Sequence, residues 1–257
     1  MNRKKLPLSK ILINAFLIPW SRKGHFLQTI ALPTLLLVSI WGIWATINPT
    51  GILLSYFLLF TYLVAFSYFA ITCHRLILTD NASISQTQEF NIKRMTWFLL
   101  WLIFFYGLYL IIELATMNLF INLIDTPAPL ELNEAAIEQH QLEIQQTVDT
   151  LRNLVYLPIM YILGRFSLVF PATAIDKKTS FIRSWIQTRH NGLRIIFIIA
   201  LFPWALEILL SILTRENATI FEQGIVGILM YLSFAIGIFA LSLTYLELQD
   251  TSHQELF

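Results

Sequence analysis

Six long apolar runs dominate this chain and limit what it can fold into. Each is about as long as the ~20 helical residues that cross a hydrocarbon layer of ~30 Å. A segment in lipid must satisfy its own backbone hydrogen bonds, which only helices and closed barrels do. With 56% hydrophobic and 13% charged residues among 257, the chain is predicted to be an all-α integral membrane helical bundle forming a single domain, residues 1–257. The predicted spans are residues 25–47, 51–75, 97–124, 151–171, 192–213 and 222–246.

The basic residues are placed unevenly between these spans. All but two of the 17 Lys and Arg residues lie before span one, between spans two and three, or from late span four to early span five. The two exceptions are Arg152 and Arg215. Because Lys and Arg are enriched in cytoplasmic loops, this distribution predicts that both termini are cytoplasmic.

An amphipathic pattern follows span four in the stretch "DKKTSFIRSWIQTRHNG". Its large apolar side chains recur at helical spacing: Phe181, Ile182, Trp185 and Ile186. Thr179 or Ser180 can cap the helix. We predict an interfacial helix over residues 178–190 that lies in the headgroup plane and is anchored by Phe181 and Trp185.

The N-terminal segment resembles this stretch. "LSKILINAFLIPWSRKGHFLQTIAL" aligns without a gap on "KKTSFIRSWIQTRHNGLRIIFIIAL" at an offset of 169, which predicts a second interfacial helix over residues 7–22. "NASISQTQEFNIKRMTW" stands in the equivalent place before span three, with weaker amphipathicity. The chain is therefore predicted to contain three repeats of an interfacial helix plus a transmembrane hairpin. The alternative is that apolar sequences align by chance.

The only sizeable polar region lies between spans three and four. Its apolar residues follow a helical period, which predicts an outer polar helix over residues 130–150. A solvated acidic helix is the favoured interpretation, and docking to a membrane-protein partner is the alternative.

No catalytic or metal-binding pattern occurs in the sequence. The five histidines include no pair at the i, i+4 spacing of a helical metal site, and Cys73 is the single cysteine. G-x-S-x-G, H-E-x-x-H and the P-loop are also missing. We therefore expect no enzyme activity, no cofactor, no metal and no nucleic-acid partner.

Two carboxylates, Glu113 and Glu207, fall inside predicted spans at corresponding places in the repeat. Charged groups in hydrocarbon are costly, so such residues mark buried packing or a pathway. The favoured interpretation is a neutral carboxyl group bonded to a neighbouring helix. A proton or cation relay is the alternative.

Two arginines, Arg75 and Arg165, lie near the inner ends of spans two and four at matching positions. Snorkelling to lipid phosphate is the favoured interpretation. A specific contact with a lipid headgroup or an amphipathic helix is the alternative. The lipid-headgroup candidates are Arg75, Arg165, Lys177, Lys178, Arg183 and Arg189.

One stretch, "GRFSLVFPATAIDKKTSFIRSWIQTRHNGLRIIF" at residues 164–197, resembles a known pattern. It is similar to the membrane domain of glycerophosphoryl diester phosphodiesterases and to related uncharacterised bacterial families. The matching residues are Arg165, Ser167, Pro171, Ala172, Ser180, Phe181, Ser184, Trp185, Thr188, Arg189 and Asn191. The resemblance implies a helical, multi-pass bacterial inner-membrane protein. In some relatives this domain accompanies a catalytic phosphodiesterase, but no segment outside the spans is long enough to form it, so the activity does not transfer.

The expected function is therefore that of a non-enzymatic inner-membrane protein. It interacts with membrane lipids, with anionic lipid as a candidate, or acts as a scaffold at the cytoplasmic leaflet. The alternative is a small-solute or proton-coupled transporter that uses Glu113 and Glu207.

Overall fold

The computed structural model describes residues 5–21, 23–47, 51–79, 90–123, 158–213 and 220–254. Within these ranges the chain is helical apart from turns and short links, and no strand occurs in them. The helices are α1 (Leu8–Ser21), α2 (Lys23–Ile47), α3 (Ile52–Leu78), α4 (Ile92–Leu123), α5 (158–166), α6 (Val169–Ala174), α7 (Phe181–Gln187), α8 (Gly192–Ile196), a π-helical segment (Phe197–Leu201), α9 (Phe202–Leu213) and α10 (Ile220–Gln254). The predicted outer helix over residues 130–150 lies outside the described residues.

Four described helices are long and apolar enough to cross a membrane. They are Lys23–Trp44, Leu53–Leu78, Ile92–Ala115 and Gly224–Gln249. Shorter apolar helices cover Leu8–Ser21, Pro158–Ala174 and Gly192–Leu201. Large apolar side chains on the long helices are exposed, as at Leu53 (86%) and Ile111 (66%); such surfaces are typical of contact with lipid. The all-helical class is confirmed for the described chain, whereas six crossings stay a prediction.

The chain divides into two compact units. The larger comprises residues 1–102 and 164–257, and the smaller comprises residues 103–163. In the larger unit α3 packs against α2 and α10, and α1 packs against α10. Phe69 and Phe239 are fully buried in its core, where Phe239 meets Phe26 edge to face at 6.0 Å between ring centroids. The described part of the smaller unit consists of the second half of α4 and the first turns of α5.

Hydroxyl side chains within the long helices bond to their own backbone. Ser67 Oγ donates to the Leu63 carbonyl, and Thr72 Oγ1 donates to the Tyr68 carbonyl, each at 2.8 Å. An unpaired hydroxyl away from water would be costly, and a bond to the carbonyl four residues earlier removes that cost. Polar residues are therefore compatible with these apolar helices.

The π-helical segment ends two residues before Pro203. Proline lacks a backbone N–H, and its ring clashes with the carbonyl four residues earlier in a regular α-helix. The wider π turn at residues 197–201 accommodates this. Opposite lies Gly237 of α10, where an added Cβ would be 3.5 Å from Pro203 Cγ.

The extended segment before α1 is held by side chains from much later in the chain. The Leu6 N–H donates to Asn191 Oδ1 at 3.0 Å, and Arg194 Nη1 donates to the Leu6 carbonyl. The Leu6 side chain is buried in the main core. Both backbone groups of this residue are thus satisfied without helix or strand partners.

A buried hydrogen bond joins α3 to α10. His74 Nδ1 and Ser242 Oγ lie 2.7 Å apart, and both residues are buried. Ser242 Oγ donates its only proton to the Ile238 carbonyl at 2.8 Å. It therefore accepts from His74, whose Nδ1 carries the proton in this arrangement.

Ser242→Ala should destabilise the protein by about 1 kcal/mol, because it leaves the buried His74 Nδ1 without this partner. Ser233→Ala is the matched control, since Ser233 Oγ donates to the Leu229 carbonyl of the same helix. Thermal unfolding in detergent measures the difference. Equal midpoints for the two variants would show that the bond between α3 and α10 contributes no stability.

Candidate functional site

Arg165 is buried, with 4% of its surface exposed, and its guanidinium contacts α7. Arg165 Nε donates to Thr188 Oγ1 at 2.7 Å, and Nη2 donates to the Trp185 carbonyl. The guanidinium carbon lies 3.9 Å from the centroid of the Trp185 ring, a cation–π geometry. The sequence left three roles open for Arg165: snorkelling to lipid phosphate, contact with a lipid headgroup, and contact with an amphipathic helix. The structure contains the contact between Arg165 and the amphipathic helix α7. A lipid contact by Arg165 stays a prediction.

The backbone of Arg165 is bonded to the same helix. α5 ends at residue 166, and the last carbonyls of a helix lack partners in the next turn. Ser184 Oγ donates to the Arg165 carbonyl at 2.6 Å, and Ser184 and Thr188 are both buried. The end of α5 and one face of α7 thus satisfy each other's polar groups.

α7 begins after Ser180, whose Oγ accepts from the Arg183 N–H at 3.2 Å. This is one of the two caps that the sequence allows. Phe181 lies edge to face on Trp101 at 4.6 Å and tilted on Phe166 at 5.0 Å. α7 covers fewer residues than the predicted 178–190, because the chain turns after Gln187.

The apolar residues of α7 divide into two sets. Phe181 and Trp185 pack on aromatic side chains of the protein, whereas Ile182 and Ile186 are 73% and 64% exposed. An exposed apolar pair beside charged residues is the surface expected of a helix at a lipid interface. Membrane anchoring by Phe181 and Trp185 stays a prediction.

The other predicted headgroup residues have separate positions. Arg75 is buried and donates to the Ala174 carbonyl at the end of α6. Arg183 and Arg189 are exposed, and Arg183 Nη1 donates to the Lys178 carbonyl at 3.3 Å. Lys177 donates to Gln249 Oε1 at 3.0 Å. Arg75 and Arg165 therefore bind backbone at helix ends, and the other four headgroup candidates lie at the surface.

Lys177 and Lys178 line a cavity of about 660 Å³ between the start of α4 and the link from α6 to α7. We call this cavity the basic groove. Its lining residues are Asn91, Lys93, Arg94, Trp97, Trp101, Thr173, Asp176, Lys177, Lys178 and Thr179. Among the residues that the structure describes, the lining holds four basic side chains and one carboxylate, so their field attracts anions.

One ion pair fixes the wall of the basic groove. Arg94 Nη2 donates to Asp176 Oδ2 at 2.5 Å, and Arg94 Nε donates to Asp176 Oδ1 at 3.1 Å. The Arg94 side chain is 4% exposed. Asp176 has φ of 58°, a left-handed conformation that short polar residues tolerate best. This pair holds the start of the link from α6 to α7 against α4.

Two tryptophans form the apolar side of the basic groove. Trp97 is half-exposed, and its ring centroid lies 6.2 Å from that of Trp101. Tryptophan is enriched where membrane meets water, because its ring is apolar and its N–H is polar. The groove thus combines cations with the kind of surface that meets lipid glycerol and acyl carbons.

Sequence reasoning named neither Arg94 nor Asp176 as a site residue. It also missed Lys93, Trp97 and Trp101. They follow one another at intervals of four, so they share one face of α4. This spacing of four residues was the sequence signal that could have identified them as one surface. The proximity of this face to residues 176–178 could not be read from the sequence.

Of the two carboxylates predicted to lie inside the membrane, the structure describes one side chain. Glu113 lies on α4 in the smaller unit and is half-buried. Glu207 lies on α9 in the larger unit, and its side chain is outside the described residues. The transporter alternative therefore depends on the sequence alone.

Trp185→Ala should lower the free energy of unfolding by about 1–2 kcal/mol, because it removes the ring contacts with Phe166 and Arg165. We expect less than the cost for a fully buried aromatic, because Trp185 is 36% exposed. Gln187→Ala on the same helix should change stability little. Thermal unfolding and folded yield in detergent measure both. Equal losses would show that α7 is not held through its tryptophan.

Comparison of the chain with models of protein families, with curated proteins and with solved structures gives no match. The resemblance to the membrane domain of glycerophosphoryl diester phosphodiesterases therefore stays an expectation from residues 164–197. Function has to be argued from the groove and α7 themselves.

Proposed function

We propose that this protein is a non-enzymatic, multi-pass protein of a bacterial inner membrane that binds or organises anionic lipid at the cytoplasmic leaflet. The observation that carries the proposal is the basic groove, with Lys93, Lys177 and Lys178 beside Trp97 and Trp101. Basic pockets next to membrane helices attract anionic headgroups. The exposed Ile182 and Ile186 of α7 supply apolar area beside them.

The proposal includes six crossings in three repeats, each an interfacial helix followed by a hairpin. Two contacts support a common packing rule for these repeats. Arg165 at the end of the second repeat contacts α7, the interfacial helix of the third. Glu247 on the returning helix of the third repeat pairs with Lys10 on α1, the interfacial helix of the first, at 3.5 Å. In both cases a charged residue on a returning helix contacts the interfacial helix of another repeat.

Lipid retention by the full chain tests the proposed function. Native mass spectrometry after equal exposure to a zwitterionic lipid and a singly negative phosphodiester lipid should show several-fold greater retention of the anionic one. The preference should fall at high salt, because salt screens exposed charges. Equal retention of the two lipids would overturn the proposal.

Topology provides an independent test. A cysteine introduced as Lys178→Cys should be protected from a membrane-impermeant thiol reagent in intact cells, because the basic cluster predicts a cytoplasmic position. One introduced as His140→Cys should be labelled. Cys73 is buried, so it should give little background. The reverse labelling pattern would contradict both the orientation and the lipid-binding leaflet.

A further inference from the structure

We propose that the basic groove is a specific site for a headgroup with two negative phosphate charges. This inference rests on the proposed function and makes its ligand class explicit. Two kinds of lipid carry two negative phosphate charges: lipids with one phosphomonoester and lipids with two phosphodiesters. Soluble phosphates share it as well and are separated by the experiment.

The charge balance of the groove favours a headgroup with more than one negative charge. Arg94 and Asp176 form an ion pair through three hydrogen bonds, so their formal charges cancel. Three lysines of the lining remain. Lys177 donates to the amide oxygen of Gln249, a neutral partner that leaves its charge in place. A single phosphodiester would balance one of these three charges, whereas a doubly negative headgroup balances two.

The lysines are positioned by the fold. Asn91 Oδ1 accepts from the Arg94 N–H at 3.2 Å and thereby caps the start of α4. The ion pair between Arg94 and Asp176 then fixes the residue that directly precedes Lys177 and Lys178. Lys93 lies next to Arg94 on α4. The cations therefore enter the groove from two anchored backbone segments, which lowers the ordering cost of binding.

The shape and the apolar wall favour lipid over a free ion. The cavity of about 660 Å³ is far larger than one phosphate group and has room for a glycerol-linked headgroup. Trp97 and Trp101 line it beside the lysines, where the first carbons of a lipid would lie. Thr173 and Thr179 also line it, and hydroxyl groups can donate to phosphate oxygens.

The experiment compares lipids by charge on the full chain in detergent. Native mass spectrometry measures retention of a lipid with two phosphodiesters, a phosphomonoester lipid and a singly negative phosphodiester lipid. A lysine near anionic phosphate changes affinity by about fivefold. We therefore expect at least about fivefold preference for the doubly negative lipids, and a ratio near one for Lys93→Gln combined with Lys178→Gln.

The matched control is Lys23→Gln combined with Arg189→Gln, which removes two exposed charges outside the groove lining. It should lower retention of all anionic lipids alike and preserve the ratio. Lys93 and Lys178 are exposed, so the groove variant should keep the unfolding midpoint of the parent protein. A ratio that changes equally in both variants would overturn the inference.

Two further measurements are needed. One distinguishes soluble phosphate from lipid as the ligand, and the other distinguishes failure of the groove inference from failure of the proposed function. Pyrophosphate that binds without lipid and is lost in the groove variant would assign the site to a soluble phosphate. Lipid retained in the presence of excess pyrophosphate assigns it to lipid. Anionic preference without discrimination by charge number would overturn the groove inference and leave the proposed function standing. Equal retention of anionic and zwitterionic lipids by the parent protein would overturn both the groove inference and the proposed function.

Discussion

The contact between Arg165 and α7 is the interaction on which the basic face of the protein depends. A buried guanidinium is costly unless its donors are satisfied, and here they meet Thr188, the Trp185 carbonyl and the face of an indole ring. Because α7 is held in this way, Phe181 is placed on Trp101. That tryptophan in turn belongs to the wall of the basic groove, so one buried charge fixes the position of a surface several side chains away.

Three buried arginines and two exposed lysines of the basic face have different roles. Arg94, Arg75 and Arg165 are buried and bonded to carboxylate, carbonyl or hydroxyl oxygens. Arginine suits this role, because its planar donors match such acceptors in fixed geometry. Lys177 and Lys178 are exposed, and lysine offers a mobile point charge on a flexible stem. These arginines therefore organise the helix ends, while the two lysines place their charges at the surface.

The sequence was sufficient for the helical class but not for the site. Runs of apolar residues long enough to cross a bilayer force helices, since lipid leaves no other partner for the backbone. The hydroxyl groups of Thr179 and Ser180 narrowed the cap of α7 to these two residues, and the structure has Ser180. The sequence showed that Arg165 lies near the end of its helix, but it did not show which group the guanidinium contacts. It therefore left several roles open for this residue. The basic groove was missed because Lys93 and Lys178 come from distant parts of the chain, and their proximity depends on the pairing of Arg94 with Asp176. The π turn before Pro203 likewise has no signature beyond the proline itself.

The anchoring of Leu6 by Asn191 and Arg194 has a consequence for the order of assembly during synthesis. Its two partners are 185 and 188 residues further along the chain, so at roughly 5–20 residues per second they emerge on the order of 10–40 s later. During that interval the segment before α1 has no native site to occupy. The segment around Leu6 is thus among the last parts of the described chain to reach its final position. It can do so only after Asn191 and Arg194 are in place.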